Sequence, residues 1–173
     1  CSTAMARLPV KRFYKMSELK GLVLKNYNGY YYVQVAENVY TCKVKGKMKQ
    51  NRFFLATGDM VLLEPGEKGE GMIKKVLPRK NFLPRPTMAN LDLFVATFAC
   101  ATPDFSFLLA DKLLALAELA HIPALLVLNK EDQAPAGLIE QVRRVYEPIG
   151  YEVFTLSAKK ATGVAALRQR SKG

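Results

Sequence analysis

The sequence predicts two architectures in series: a small closed β-barrel over residues 20–80, then part of a parallel-sheet α/β domain over residues 91–173. Three observations carry this. Five short strand signals crowd into about 60 residues of the first half. After residue 90 the pattern changes to β-α-β-α-β, the order of a parallel sheet with crossover helices. The charge is one-sided as well: through Arg85 there are 17 Lys and Arg against 6 Asp and Glu, and from Pro86 onward 9 against 9, so the whole net charge of +11 sits in the first half.

Residues 1–19 have no clear period and read as an N-terminal extension. Gly21–Tyr27 begins as a strand, and Asn28-Gly29 is a strong hairpin signal before a second strand, Tyr30–Val35. Asn38 to Lys45 alternates apolar and polar residues, as a half-buried strand does. Gly46–Arg52 is a basic loop, and Phe53–Leu55 is a candidate continuation of the sheet. Thr57-Gly58-Asp59 turns the chain into Met60–Glu64, and a Gly- and Glu-rich loop leads to a last strand, Gly71–Leu77. A basic five-stranded barrel of this length suggests an OB-fold, a class that binds oligonucleotides through a strand face with aromatic stacking and basic walls. Tyr27, Tyr30, Tyr31 and Tyr32 offer rings, about half of which should face the core because strand neighbours alternate sides. Tyr30 and Tyr32 are the candidates for stacking. Lys43, Lys45, Lys47, Lys49 and Arg52 are the candidates for phosphate contact. The partner class is a polyanion, and RNA is the expected one.

Residues 81–90 read as a linker, because Pro78, Pro84 and Pro86 break regular structure. Leu91–Ala99 reads as a strand. Ser106–Ala120 reads as a strongly apolar helix lying on a sheet, with a narrow wet face through Asp111, Lys112 and Glu118. His121-Ile122-Pro123 stops it. Ala124–Leu128 is an apolar run without period, the mark of a strand buried on both faces. A helix from about Ala136 to Tyr146, a strand Tyr151–Leu156 and a helix beginning near Val164 complete the unit.

The apolar run ends in Asn129-Lys130-Glu131-Asp132, at the carboxyl end of a strand, where open α/β sheets place ligands. Guanine presents two donors on one edge, N1–H and the N2 amine. A carboxylate such as Asp132 accepts both, and adenine offers no matching pair. Rejecting a base that leaves a buried carboxylate unpaired gives large discrimination. Lys130 can lay its methylene stem over the base. Asn129 can bond the base or brace neighbouring loops. One strand–helix–strand unit later comes Ser157-Ala158-Lys159, placed to offer the Ala158 N–H to a guanine O6 and to cover a ring face with Lys159.

Half the residues are hydrophobic, which excludes wholesale disorder. Three scattered cysteines suggest no disulfide framework and fit a reducing cytoplasm. No run approaches the ~18 apolar residues of a membrane helix, so no membrane partner is expected, and a monomer is. His121, the sole histidine, reads as structural, and no metal ligand set is read from the residues.

Together, the basic barrel, Leu77–Asn81, Arg85–Asp92, the Asn-Lys-Glu-Asp tetrapeptide and the later Ser-Ala-Lys turn resemble the bacterial ribosome small-subunit-dependent GTPase A family, whose GTPase domain is circularly permuted. The resemblance runs from about Lys20 to Gly163. It implies an OB-fold, a GTPase domain whose guanine motifs come first, and a zinc-containing tail. It also implies GTP hydrolysis with magnesium, stimulated by the small ribosomal subunit and its rRNA during late maturation. By motif match Asn129, Lys130, Asp132, Ser157, Ala158 and Lys159 would hold the guanine of GTP or GDP. The family's phosphate loop, Gly-x-x-x-x-Gly-Lys-Ser/Thr, does not occur in the 173 residues, nor do the tail's zinc ligands. The chain is therefore read as a fragment or a partly represented longer protein, unable by itself to hydrolyse GTP. The alternative reading is an RNA-binding OB module with a non-catalytic α/β scaffold.

Overall fold

A computed structural model describes residues 18–44 and 55–172. Most of the N-terminal extension, Lys45, Lys47, Lys49, Arg52 and the expected strand residues 53–54 lie outside the described residues. The chain divides into two compact units, residues 1–78 and 79–173.

The first unit is a closed five-stranded barrel in the order β1-β2-β3-β5-β4, as an OB-fold requires. Its strands are β1 (Leu19–Tyr27), β2 (Tyr30–Val35), β3 (Asn38–Val44), β4 (Met60–Pro65) and β5 (Glu70–Val76). Asn28 and Gly29 both adopt positive φ, 50° and 77°, giving the tight β1–β2 turn that the Asn-Gly pair encodes. Period-2 alternation then sorts β2: Val33 is fully buried and Tyr31 and Val35 pack on the same core, while Tyr30, Tyr32 and Gln34 belong to the opposite parity. Gly21 permits β1 and β2 to close, since a Cβ there would lie 2.5 Å from Val33 Cγ1 and 2.8 Å from the Gln34 carbonyl. Leu55 is buried against the core without joining a strand. Before β4 the turn is pinned by a buried carboxylate, Asp59, whose Oδ2 accepts the Ala56 N–H at 2.8 Å.

Residues 81–90, read as a linker, carry a hairpin: β6 (Phe82–Pro84) pairs with β7 (Thr87–Ala89). Asn81 closes its base, donating from Nδ2 to the Leu91 carbonyl at 2.7 Å and accepting the Leu91 N–H at 2.8 Å. Leu91 is thereby withdrawn from the sheet, and the next strand begins three residues later than the sequence suggests.

That strand is β8 (Phe94–Ala99). With β9 (Ala124–Asn129) and β10 (Glu152–Leu156) it forms a parallel sheet in the order β10-β9-β8, with β9 central. Helix α1 (Phe107–Leu119), α2 (Leu138–Tyr146) and α3 (Val164–Arg170) connect and follow the strands. Leu126 and Leu128 point to one face, packing with Ala110 and Leu114 of α1 and Val142 and Tyr146 of α2. Leu125 and Val127 point to the other, with Leu156 and with Leu167 of α3. Covering both faces explains why the β9 run has no period.

Helix α1 departs from expectation. Its N-cap is Ser106, whose Oγ accepts the Leu109 N–H. Its buried stripe is only Ala110, Leu114 and Ala117. Leu108, Leu109 and Leu119 are 65%, 49% and 82% exposed, so the wet face is wide and partly apolar. The residues spaced four and three apart set the buried stripe, and leucine content alone does not. Among the described residues no helix is long and apolar enough to cross a membrane.

Candidate functional site

The site hangs from the end of β9. Asn129 is in register with Ala99 on one side and Leu156 on the other, and its carbonyl accepts the Cys100 N–H at 2.8 Å. The next residue, Lys130, takes a left-handed backbone, φ 62°, which breaks the strand and starts a single helical turn over Glu131–Gln133. Asn129 Oδ1 accepts two amides, Lys130 N–H at 2.8 Å and Ala158 N–H at 3.1 Å. One side chain therefore links the loop after β9 to the loop after β10, the bracing role that the sequence left open. The Ala158 N–H, expected to meet a base oxygen, has Asn129 as its partner here. Lys130 stretches across the β8 end and donates from Nζ to the carbonyls of Thr102 at 2.6 Å and Ala101 at 3.3 Å.

The second loop closes on itself. Ser157 and Thr162 exchange backbone bonds in both directions, at 3.1 and 3.2 Å, and the Lys160 N–H donates to Ser157 Oγ. Gly163 ends the loop at φ +73°, where a Cβ would stand 2.2 Å from the Thr155 carbonyl. Ser157 is buried beside Asp132, and its hydroxyl favours the charged form of that carboxyl. Ser157 is the main reason the exposed Asp132 carboxyl lies below its ordinary range; desolvation opposes it, and a backbone amide, Lys160 and Lys159 add smaller contributions in the same direction as Ser157. Thr162 Oγ1 donates to Glu131 Oε1 at 2.5 Å. The structure thus brings Asn129, Lys130, Asp132, Ser157 and Ala158 together, with Lys159 on the same loop.

Sequence reasoning missed Glu131, Thr162 and the carbonyls of Ala101 and Thr102. Glu131 is the free position of its tetrapeptide, and only the loop closure shows that Thr162 faces it. Cys100, buried beside this site, has its thiol pushed up by burial and by the charges of Glu131 and Asp132.

On the barrel, Lys43 Nζ lies 5.0 Å from the Tyr30 ring centre and Lys25 Nζ 4.6 Å from that of Tyr32. Lys25 was not foreseen. Lys43 and Tyr30 border a groove of about 420 Å³ that also includes Thr41, Glu70 and Met72. Among the described residues no three His, Cys, Asp or Glu side chains come together as a metal site.

Two family models match the chain, one described as the RsgA N-terminal domain over residues 20–73 and one as the RsgA GTPase over residues 76–173. A protein of Clostridium botulinum named small ribosomal subunit biogenesis GTPase RsgA is 37% identical over 155 residues, covering 90% of this chain and 53% of the relative. One of Carboxydothermus hydrogenoformans with the same name is 38% identical over 150 residues, covering 86% and 51%. The crystal structure of YjeQ from Thermotoga maritima matches with a TM-score of 0.79 at 30% identity, covering 89% of this chain and 57% of that one. That of YloQ, described as a circularly permuted GTPase, matches with a TM-score of 0.72 at 27% identity, covering 86% and 55%. The chain spans about half the length of the curated relatives it matches.

Proposed function

The chain belongs to the RsgA GTPase family, and from that premise we propose that it supplies guanine recognition and RNA contact for a cytoplasmic GTPase that acts in small ribosomal subunit maturation. The observation that carries the reading is the loop pair at the end of β9, where Asn129 joins Ala158 and the Asp132 carboxyl beside Ser157 lies below its ordinary range. Asp132 accepts the N1–H and N2–H of guanine. Lys130, drawn taut to the Ala101 and Thr102 carbonyls, offers its methylene stem to a base face. GTP and GDP are the ligands. Magnesium, when bound with them, would supply positive charge against the charge that develops on the phosphates. The 173 residues contain no Gly-x-x-x-x-Gly-Lys-Ser/Thr loop to cradle those phosphates. By themselves they are proposed to bind guanine nucleotides weakly and to hydrolyse none.

The test is base selectivity. GDP and ADP are titrated into the chain and into Asp132→Ala. GDP is expected to bind at least roughly tenfold more tightly than ADP, with the preference gone in the variant. Equal affinities in both proteins would sink the guanine reading. Since the folded-state carboxyl is depressed, the carboxylate form persists above that lowered value. The preference should stay flat as pH falls toward about 4 and disappear only below.

For the barrel we propose rRNA contact through the outward face of β2 and β3, with Lys43 and Lys25 set over Tyr30 and Tyr32. Replacing Lys43, Lys45, Lys47 and Lys49 with Ala should weaken RNA binding and reduce its salt slope by roughly one per lost phosphate contact. An unchanged slope would remove these lysines from the proposal. Intact RNA affinity together with indifference to GDP and ADP would favour an RNA-binding module on a non-catalytic scaffold.

A further inference from the structure

We propose that Glu131 and Thr162 are positioning residues of the guanine pocket: their bond locks the loop after β10 against the loop after β9 and so sets the angle of the Asp132 carboxylate. The inference rests on the guanine reading above. It starts from how the second loop closes. Ser157 and Thr162 face each other as a reciprocal backbone pair, and side chains of directly opposed residues lie on the same side. Both hydroxyls therefore meet the same neighbour, the turn that carries Glu131 and Asp132. Thr162 bonds to Glu131, and Ser157 stands beside Asp132 and favours its charged form, so two consecutive carboxylates face the two ends of one closed loop.

The two contacts differ in what they leave available. The Ser157 contact is with the carboxylate that must also accept two guanine donors, so it shares its acceptor with the ligand. The Thr162 bond engages a carboxylate with no base to serve, and its 2.5 Å length is that of a charge-assisted hydroxyl–carboxylate contact. One bond between loops leaves a pivot, and a second at a separate point removes it. Asn129 adds a link at the other edge, to Ala158. The Glu131–Thr162 contact is thus the brace that survives unchanged when a base draws on Asp132.

The test measures GDP and IDP binding to the full 173-residue chain by amide chemical-shift titration, with Thr162→Val, Thr162→Ser, Glu131→Gln and Asp132→Ala. IDP lacks the N2 amine, so the GDP-to-IDP ratio reads the seating of the Asp132 carboxylate. Thr162→Val is expected to weaken GDP roughly fivefold and to lower the ratio by a similar factor. Thr162→Ser should restore both, and Tm should stay within about 1 °C because the pair is exposed. Glu131→Gln, which keeps an acceptor and loses the charge, should fall between. A wild-type ratio in a folded Thr162→Val protein would overturn the proposal while the guanine reading stands. So would a loss that Thr162→Ser does not rescue, or one equal for GDP and IDP. Wild-type protein that does not prefer GDP, with Asp132→Ala no different, would overturn the guanine reading and this inference with it.

Discussion

Asn129→Ala isolates what the loop link is worth. The side chain accepts the Lys130 N–H at 2.8 Å and the Ala158 N–H at 3.1 Å. A neutral hydrogen bond contributes about 1 kcal/mol net, less where water can replace the partner. Ala158 is exposed and Lys130 half-buried, so the pair is worth about 1–2 kcal/mol. That corresponds to a roughly five- to thirtyfold rise in loop opening. The assay is native-state hydrogen exchange of the Ala158 and Lys130 amides. Both should exchange faster by that factor in Asn129→Ala, with core amides of β9 unchanged. Asn129→Asp is the informative companion. Its carboxylate accepts both amides and should keep their protection, yet it places a third negative charge beside Glu131 and Asp132 and donates nothing, so GDP affinity should fall. Unchanged Ala158 protection in Asn129→Ala would refute the linking role, and so would equal deprotection in both variants.

Two further outcomes follow from the second unit. Gly163→Ala forces a methyl toward the Thr155 carbonyl at a positive φ, so it should cost at least about 2 kcal/mol in urea unfolding and weaken GDP with it; a midpoint within error of wild type would contradict the close approach. The Tyr146 hydroxyl is pushed well above its ordinary value by burial and by Asp111, to which it donates at 2.7 Å. A raised folded-state value stabilises fully below the unfolded value of about 10 and is lost as pH rises through the folded one. Stability should therefore decline above about pH 10. Tyr146→Phe should lose about 1 kcal/mol near neutrality and show a shallower alkaline decline, and a decline as steep as wild type would count against this origin.

The elements legible in the sequence were those whose signal is local. The Asn28-Gly29 turn and the alternation of β2 located the hairpin and the outward Tyr30 and Tyr32. The apolar run of β9 located the strand end where Asn129 stands. What escaped depends on pairings between distant residues. Pro84 and Pro86 read as breakers, but a two-stranded hairpin has free outer edges where a missing N–H is tolerated. Asn81 entered only as part of a resembling motif, and its grip on Leu91 has no one-dimensional signature. Leucine content made α1 look more buried than it is, because only Ala110, Leu114 and Ala117 share the sheet-facing stripe. Glu131 looked like the dispensable letter of its tetrapeptide until the closed loop put Thr162 in front of it.

The central place of β9 bears on how sequence variation reaches the site. A strand bonded on both sides keeps its ladder and its faces only in register steps of two residues, about 6.6 Å, which is more than any hydrogen bond at Asn129 tolerates. Leu125, Leu126, Val127 and Leu128 are all at most 1% exposed. A substitution there that relaxes the strand need touch no nucleotide to displace Asn129, Lys130 and Asp132 together. In a population of variants, loss of guanine binding should accordingly trace to interior residues of β9 as often as to the polar residues at its end.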